Sequence, residues 1–346
     1  MFGLDISEGA IRAVKLAKKG KKMYLESFNQ LPIAEGIISD GQIIDSAKFV
    51  SAINTLLKKA HGKPIKDRMV VSVLPESSTF IKVISVPVVA EKDLPEAINE
   101  EIKKHVPLEI DEIYLDWQLL GKTESSTRIL VGAAPKQIVD NYVAALGACG
   151  LTISVLEIEA AAIARALITK NNDGATILID IGAMRTGLTL YDHDSIQLTV
   201  SLPLSGNKIT KTIAQKLNLD LEKAEQAKII CGLDPQKCEG ALLKILVENI
   251  NSLIVQIKKT AAFYQANFEN PHPVSEIILC GGGANFSNID QVLNQKLNVA
   301  IKIGKPLENI MMRSRAKITT EQALSYTTVI GLAMRAAQNK IWNDHS

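Results

Sequence analysis

Aromatic side chains make up only 4% of the 346 residues. That is too sparse for the stacking platforms on which single-stranded nucleic acids lie. Net charge is scarce too: 39 Lys and Arg against 37 Asp and Glu leave a formal +2. Such near-balance removes the electrostatic case for binding nucleic acid or an anionic membrane. Apolar runs are short. Stretches such as 177-ILIDI-181 meet charge well before the ~18 residues of a spanning helix. Met1 leads at once into a strand-like segment, so no secretory signal is read. Cysteine occurs four times. Cys149, Cys231, Cys238 and Cys280 form neither C-x-x-C pairs nor a metal-ligand spacing, and are expected to be reduced thiols of a cytosolic protein.

Several motifs are absent as well. There is no G-x-x-x-x-G-K-[ST] and no G-x-G-x-x-G, which excludes a P-loop ATPase and a dinucleotide fingerprint by motif. Neither H-E-x-x-H nor G-x-S-x-G occurs. His61, His105, His193, His272 and His345 are scattered and read as surface or packing residues. The basic run 15-KLAKKGKK-22 reads as a solvated hairpin turn, with lipid headgroups as its alternative contact.

What is present is a chain with 47% apolar residues, long enough to bury a sizeable core. At roughly 150 residues per domain it holds about two domains. Strand-like and helix-like segments alternate, which predicts an α/β fold. Residues 2–6 and 11–16 read as strands, with a second hairpin at 23–31. Residues 45–61 read as a helix capped by Asp45, with Phe49, Ile53, Leu56 and Leu57 at helical spacing. Between Pro75 and Gly150 the order is strand, helix (91–106), strand, strand and a closing helix. This fits a small inserted β-α-β-β subdomain.

The opening pattern then returns. The segment 4-LDISEGAIRAVKL-16 and the segment 179-IDIGAMRTGLTLY-191 share one design. Each has an Asp at a strand end, then Ile, a small residue, a short turn and a second strand. Such an internal repeat predicts two related halves facing a common cleft. Turns rich in small residues leave backbone N–H groups free for phosphate oxygens. Asp5 and Asp180 would hold Mg²⁺ through waters, because Mg²⁺ gives up its waters reluctantly. Arg12 adds a cation beside the phosphates. A third segment, 277-IILCGGGANFSNID-290, ends a strand in three glycines and then opens a helix. Glycines there let the backbone pass close to a flat ligand such as adenosine.

Together, the Asp5 turn, the Asp180-Ile181-Gly182 turn and the Gly281-Gly282-Gly283 turn resemble the actin, sugar-kinase and heat-shock-chaperone superfamily. The segments 36-GIISDGQIID-45, 98-INEEIKKHVPLEID-111, 157-EIEAAAIARAL-167, 263-FYQANF-268, 304-GKPLENI-310 and 329-VIGLAMR-335 extend the resemblance over nearly the whole chain. They resemble the PilM-like type IV pilus assembly family, which is related to FtsA.

That resemblance implies a two-lobed actin-like (ribonuclease-H-like) fold with an inserted small β-α-β-β subdomain. Residues 1–75 would begin the first lobe, completed by about 151–172 and 325–346. Residues 76–150 would be the insert. Residues 173–324 would form the second lobe, with a helical subdomain at about 206–270. It also implies ATP with Mg²⁺ as ligand, a cytoplasmic location, and a peripheral place at the inner membrane. The implied partner is the N-terminal cytoplasmic peptide of a PilN-like inner-membrane protein. Contact with pilus motor ATPases and self-association stay open, as does ATP hydrolysis.

Carried over residue by residue, Asp5, Ile6, Ser7 and Glu8 match the first phosphate turn. Ser7 stands where the family usually has Gly, and Arg12 where it usually has Lys. Asp180, Gly182, Ala183 and Thr186 match the second turn. Gly281, Gly282, Gly283 and Ala284 match the adenosine turn. Gly206 is what remains of a glycine pair. Glu225 and Lys228 resemble a pair that reaches ribose and base, with a helical surface pair as the alternative. Glu157 or Glu159 lies where some superfamily members orient the attacking water. Both equally suit partners of a helix dipole. Two rival readings remain: an FtsA-like cell-division scaffold and a small-molecule kinase. The closing segment 334-MRAAQNKIWNDHS-346 lacks the long apolar face expected of the first rival.

Overall fold

A computed structural model of the chain describes residues 1–75, 78–169, 174–312 and 316–338. Residues 339–346, and with them most of the closing segment just named, lie outside the described residues, as do 170–173 at the edge of the 151–172 segment. The chain opens with β1 (Phe2–Ile6), β2 (Ala10–Lys19) and β3 (Lys22–Pro32). The small pair β4 (Ile38–Ser39) and β5 (Gln42–Ile43) leads into α1 (Ser46–Lys58), and β6 (Met69–Leu74) follows. Next come β7 (Phe80–Pro87), α2 (Leu94–Ile102), β8 (Ile113–Lys122), β9 (Ser126–Pro135) and α3 (Lys136–Ala148). The chain then forms β10 (Thr152–Ile158) and α4 (Glu159–Leu167). The second half begins with β11 (Ala175–Ile181), β12 (Thr186–Asp192) and β13 (Ser195–Leu202). Helices α5 (Gly206–Leu217), α6 (Leu221–Cys231) and α7 (Ala241–Asn267) follow. Finally come β14 (Val274–Cys280), α8 (Ile289–Leu297), β15 (Ala300–Ile303), β16 (Ile310–Met312), α9 (Thr320–Leu324) and α10 (Thr327–Ala337).

Local chemistry explains these elements. The Asp45 side chain accepts the Lys48 N–H at 3.0 Å and so starts α1. In α7, Leu242, Leu246, Ile250, Leu253, Ile257 and Tyr264 recur every three or four residues and are buried. With its lead-in from Cys238, this helix is long and apolar enough by composition to cross a membrane. Here its apolar stripe packs in the core of the second lobe, against Ile177, Ile179 and Leu188.

Two sheets repeat one topology. The first runs β10-β6-β1-β2-β3-β16 and the second β15-β14-β11-β12-β13-β7-β9-β8. In each, an antiparallel meander (β1-β2-β3 or β11-β12-β13) is extended by two parallel strands beyond its first strand. The internal repeat of the sequence is thus a repeat of five strands. Helices α4 and α10 pack between the sheets, in a cluster where Val14 and Leu25 of one sheet meet Leu178 and Ile278 of the other through Ile163 and Val329. Mixed α/β architecture in two lobes is what the sequence predicts. The β7-β9-β8 group joins the second sheet where Lys82 of β7 pairs with Leu198 of β13.

Some expectations change. Residues 23–31 form no separate hairpin, because β3 pairs along the whole of β2 from Lys22 to Pro32. α2 stops at Ile102 and not at 106: its buried stripe of Leu94, Ile98 and Ile102 ends there, ahead of Lys103 and Lys104. Gly282–Asn285 make a 3₁₀ turn, so the glycines do not open α8 directly. Cys231 and Cys238 are joined by a disulfide, with Cα atoms 5.8 Å apart, where reduced thiols were expected. Gly232, at φ +54°, ends α6 and turns the chain back, which brings the two together. Cys149 and Cys280 are free and buried. His193 and His272, far apart in sequence, meet at Asp192. Its carboxylate accepts the Tyr264 hydroxyl (2.5 Å), the His193 N–H (2.8 Å) and the His272 N–H (3.0 Å), and lies 2.8 Å from His272 Nδ1. These contacts tie the β12–β13 turn to the segment before β14.

Candidate functional site

Asp5 is the penultimate residue of β1 and Asp180 the penultimate residue of β11. The repeated topology brings both strand ends to one cleft of about 880 Å³ between the lobes. Its wall carries Asp5, Ile6, Ser7, Glu8 and Arg12 from the first lobe. From the second come Asp180, Gly182, Ala183, Gly206, Glu225, Lys228 and Gly281–Gly283. Glu159, at the start of α4, lines it too. The structure therefore brings together most of the residues read as a site.

Three of those residues lie elsewhere. Glu157 is buried outside the cleft and clamped by two arginines. Arg165 donates to both its oxygens, at 2.7 and 2.9 Å, and Arg335 to one. A carboxylate so paired ties β10 to α4 and α10, and it does not face the cleft. This removes Glu157 from the pair read as able to orient a water. Thr186 is fully buried where β12 begins, and its hydroxyl has no hydrogen-bond partner among the described residues. Ala284 is buried behind the glycine turn.

The first turn is closed by Ser7, whose N–H and hydroxyl both donate to Ala10 O, at 3.1 and 2.8 Å. Ser7 is not among the residues with positive φ, so serine replaces glycine there without backbone strain. Glu8 accepts the Gly41 N–H at 3.2 Å. The second turn is fastened to α5: the Gly206 N–H donates to Gly182 O (2.9 Å) and the Asn207 N–H to Ala183 O (3.0 Å). Lys228 reaches Gly206 O (3.2 Å), the Thr210 hydroxyl (2.8 Å) and the Glu225 carboxylate (2.5 Å). Glu225 and Lys228 both line the cleft wall; as an i,i+3 pair on α6, Lys228 is largely covered while the Glu225 side chain is 45% exposed.

The glycine turn is required sterically. Gly281 has φ +78°, and a Cβ there would press on Asp180 Oδ1 and on Ile181 O at 2.6 Å. At Gly283 it would press on the Ile181 side chain, 2.7 Å from its Cβ. Nothing lies within 4 Å of a Cβ built at Gly282, where the open space is the cleft itself.

The cleft concentrates charge. Arg12 donates to Asp5 at 3.0 Å and to Gln30 at 2.9 Å. Arg185 pairs with Glu159 at 3.3 Å. The charges of Arg12 and Arg185 both act on Asp180 and favour its ionised form. Burial, and then the neighbouring charges of Glu159 and Asp5, raise its carboxyl to about 7. Burial also raises Glu159 and Asp5, against the arginines that oppose it. Three carboxylates beside two guanidinium groups leave an acidic pocket of hard oxygen donors, which suits a magnesium ion with its waters.

Tyr142 and Arg185 also line the cleft, and sequence reasoning gave neither a role. Arg185 lies inside the second turn, so the repeat itself could have pointed to it. Tyr142 comes from α3, with no local signal.

The same fold recurs in known proteins. The family described as type IV pilus assembly protein PilM matches residues 3–337. A solved PilM-PilN type IV pilus biogenesis complex contains a chain 24% identical to this one. The match covers 97% of this chain and 98% of that one, with a TM-score of 0.83. MreB5 of Spiroplasma citri, solved bound to AMPPNP, is 14% identical. That match covers 96% and 94% of the two chains, with a TM-score of 0.53. The fold is therefore actin-like. The cell division protein FtsA of Neisseria meningitidis serogroup B is 25% identical over 232 residues, which cover 61% of this chain and 55% of FtsA. The chain spans about half the length of the curated relatives it matches. The family match takes in both aspartate turns, the glycine turn and the insert, and the chain belongs to the PilM family of type IV pilus assembly proteins.

Proposed function

We propose that the cleft binds ATP with Mg²⁺ and that the protein is a cytoplasmic, actin-like scaffold of the pilus machine. It docks on the inner membrane through the N-terminal cytoplasmic peptide of a PilN-like protein. One observation carries the nucleotide reading: two duplicated aspartate turns and a glycine ledge converge on one cleft between the lobes. The AMPPNP bound by the actin-like MreB5 supports it, and the pairing in the PilM-PilN complex supports the partner.

Within this reading each residue has a task. Asp5 and Asp180 would hold the metal through its waters, and the metal would supply positive charge to the phosphates. Arg12 holds Asp5 in place. Gly281–Gly283 leave room for the base, with Glu225 and Lys228 at the nucleoside. Glu159 is the carboxylate placed to orient a water, and Arg185 holds it.

Scaffolding with a switch requires that nucleotide and peptide favour the same arrangement of the lobes. A ligand shifts a conformation only through differential affinity. Anisotropy titration of a labelled PilN-type peptide, with Mg·ATP and with EDTA alone, tests this. The expected result is a change in peptide affinity of about 5-fold or more, the ordinary size of coupling between sites. Equal affinities would remove the switch, and absence of peptide binding would remove the docking role.

A further inference from the structure

Tyr142 lines the cleft, yet the nucleotide reading gives it no task. It sits on α3, its side chain is fully buried, and its hydroxyl has no hydrogen-bond partner among the described residues. Ser27 and Thr186 share that condition, but neither lines the cleft. A buried hydroxyl without a partner is unfavourable, and phenylalanine would fill the same space without that penalty. The oxygen therefore points to a partner that arrives with a ligand.

The surroundings indicate which atom that partner is. The charges of Asp5, Glu8, Glu159 and Arg185 all act on the Tyr142 hydroxyl. These residues belong to the aspartate-turn end of the cleft and not to the glycine ledge. Burial first, and then the carboxylates, hold the phenol in its protonated form, so its proton is available to donate to an anionic ligand atom. Ligand oxygens at that end would be those of the terminal phosphate.

We infer that the Tyr142 hydroxyl donates a hydrogen bond to the terminal phosphoryl group of a bound nucleoside triphosphate, so that the cleft distinguishes triphosphate from diphosphate. This rests on the nucleotide reading proposed above. The position of Tyr142 on α3 gives the contact a route outward. Asn141 exchanges hydrogen bonds with the Ile43 backbone at 2.9 and 3.1 Å. Asp140 accepts the Tyr114 hydroxyl of β8 at 3.2 Å. One helix thus meets the terminal phosphate, the first lobe and the outermost strand of the insert.

Tyr142→Phe tests this, because it removes one oxygen and keeps the ring. Wild type and variant are titrated calorimetrically with Mg·AMPPNP and with Mg·ADP, and their ligand-free melting is compared. AMPPNP affinity should fall about 10- to 100-fold, the range for a hydrogen bond to a charged acceptor. ADP affinity should stay unchanged, and the ligand-free variant should melt about 2 °C higher or more. A purely structural role would move both nucleotides together or lower the melting point. Equal loss for both nucleotides, or no loss for either, overturns the inference and leaves the nucleotide reading intact. A wild-type protein that binds neither nucleotide overturns both.

Discussion

Asp180→Asn should lower Mg·ATP affinity by about 100-fold or more, the upper end of what metal-supporting groups contribute. It should do so without weakening the ligand-free protein. The reason lies in the acidic pocket. In the free protein Asp180 is raised to about 7 by burial and by Glu159 and Asp5. Its folded-state pKa thus exceeds the ordinary carboxyl value of 3.8. The folded chain therefore binds this proton more tightly than the unfolded chain does. The corresponding stability is present below about pH 4 and is lost as pH rises to about 7. At 1.36 kcal/mol per unit the ceiling is about 4 kcal/mol. Water in the cleft reduces it, and a loss of about 1–2 kcal/mol between pH 4 and pH 8 is expected. Asparagine does not titrate, so the variant should be equally or more stable at pH 8 and should lack this pH slope. Mg·ATP should stabilise the wild type at pH 8 and leave the variant unmoved, as thermal melts will show. A variant that binds Mg·ATP with wild-type affinity would mean that the metal is held elsewhere.

Gly331→Val should destabilise the fold by about 3 kcal/mol, which lowers the melting point by roughly 4 °C for a chain of this length. Gly331 lies on α10 where it crosses α4. A Cβ there would overlap Ala162 O and stand 2.6 Å from the Ala162 carbonyl carbon. The obstacle is backbone, so no side chain can swing aside. Across the same helix, a Cβ on Gly3 of β1 would meet Ala333 N at 2.5 Å and Val329 O at 2.7 Å. α10 is therefore wedged between β1 and α4 at glycine contacts on both sides. Moving it would also disturb Arg165, which donates to Gly331 O at 3.1 Å and holds Glu157. Gain of helix propensity over glycine, about 1 kcal/mol at most, does not offset this. A melting point within 2 °C of wild type, on the same conversion, would show that the two helices can separate freely.

These two positions show how far the sequence is legible. Asp180 could be read because its turn repeats that of Asp5 some 175 residues earlier, and a repeated substructure predicts two facing halves. The alternation of strands and helices and the cap at Asp45 are local signals and were readable for that reason. Gly331 could not be read, because a glycine inside an apolar helix looks like a weakness until its neighbour is known. The same holds for β16, whose Ile310 pairs with Met23 across the chain. Pairing at that distance leaves no mark in a local window. Glu157 and Glu159 sit two residues apart and look alike in sequence. Only the fold shows that one meets Arg165 and Arg335 while the other faces the cleft. The disulfide of Cys231 and Cys238 depends on a turn at Gly232, and seven-residue spacing alone does not announce it. Tyr142 reaches the cleft from α3, the helix read as closing the insert, so no motif around it could have signalled a role.

The most direct test of this account is a structure of the protein grown with Mg·AMPPNP. The account predicts the triphosphate between the Ser7–Gly9 and Gly182–Met184 turns, a hydrated metal beside Asp5 and Asp180, and the base on the Gly281–Gly283 ledge. Nucleotide bound outside this cleft, or a cleft still empty at saturating ligand, would contradict it.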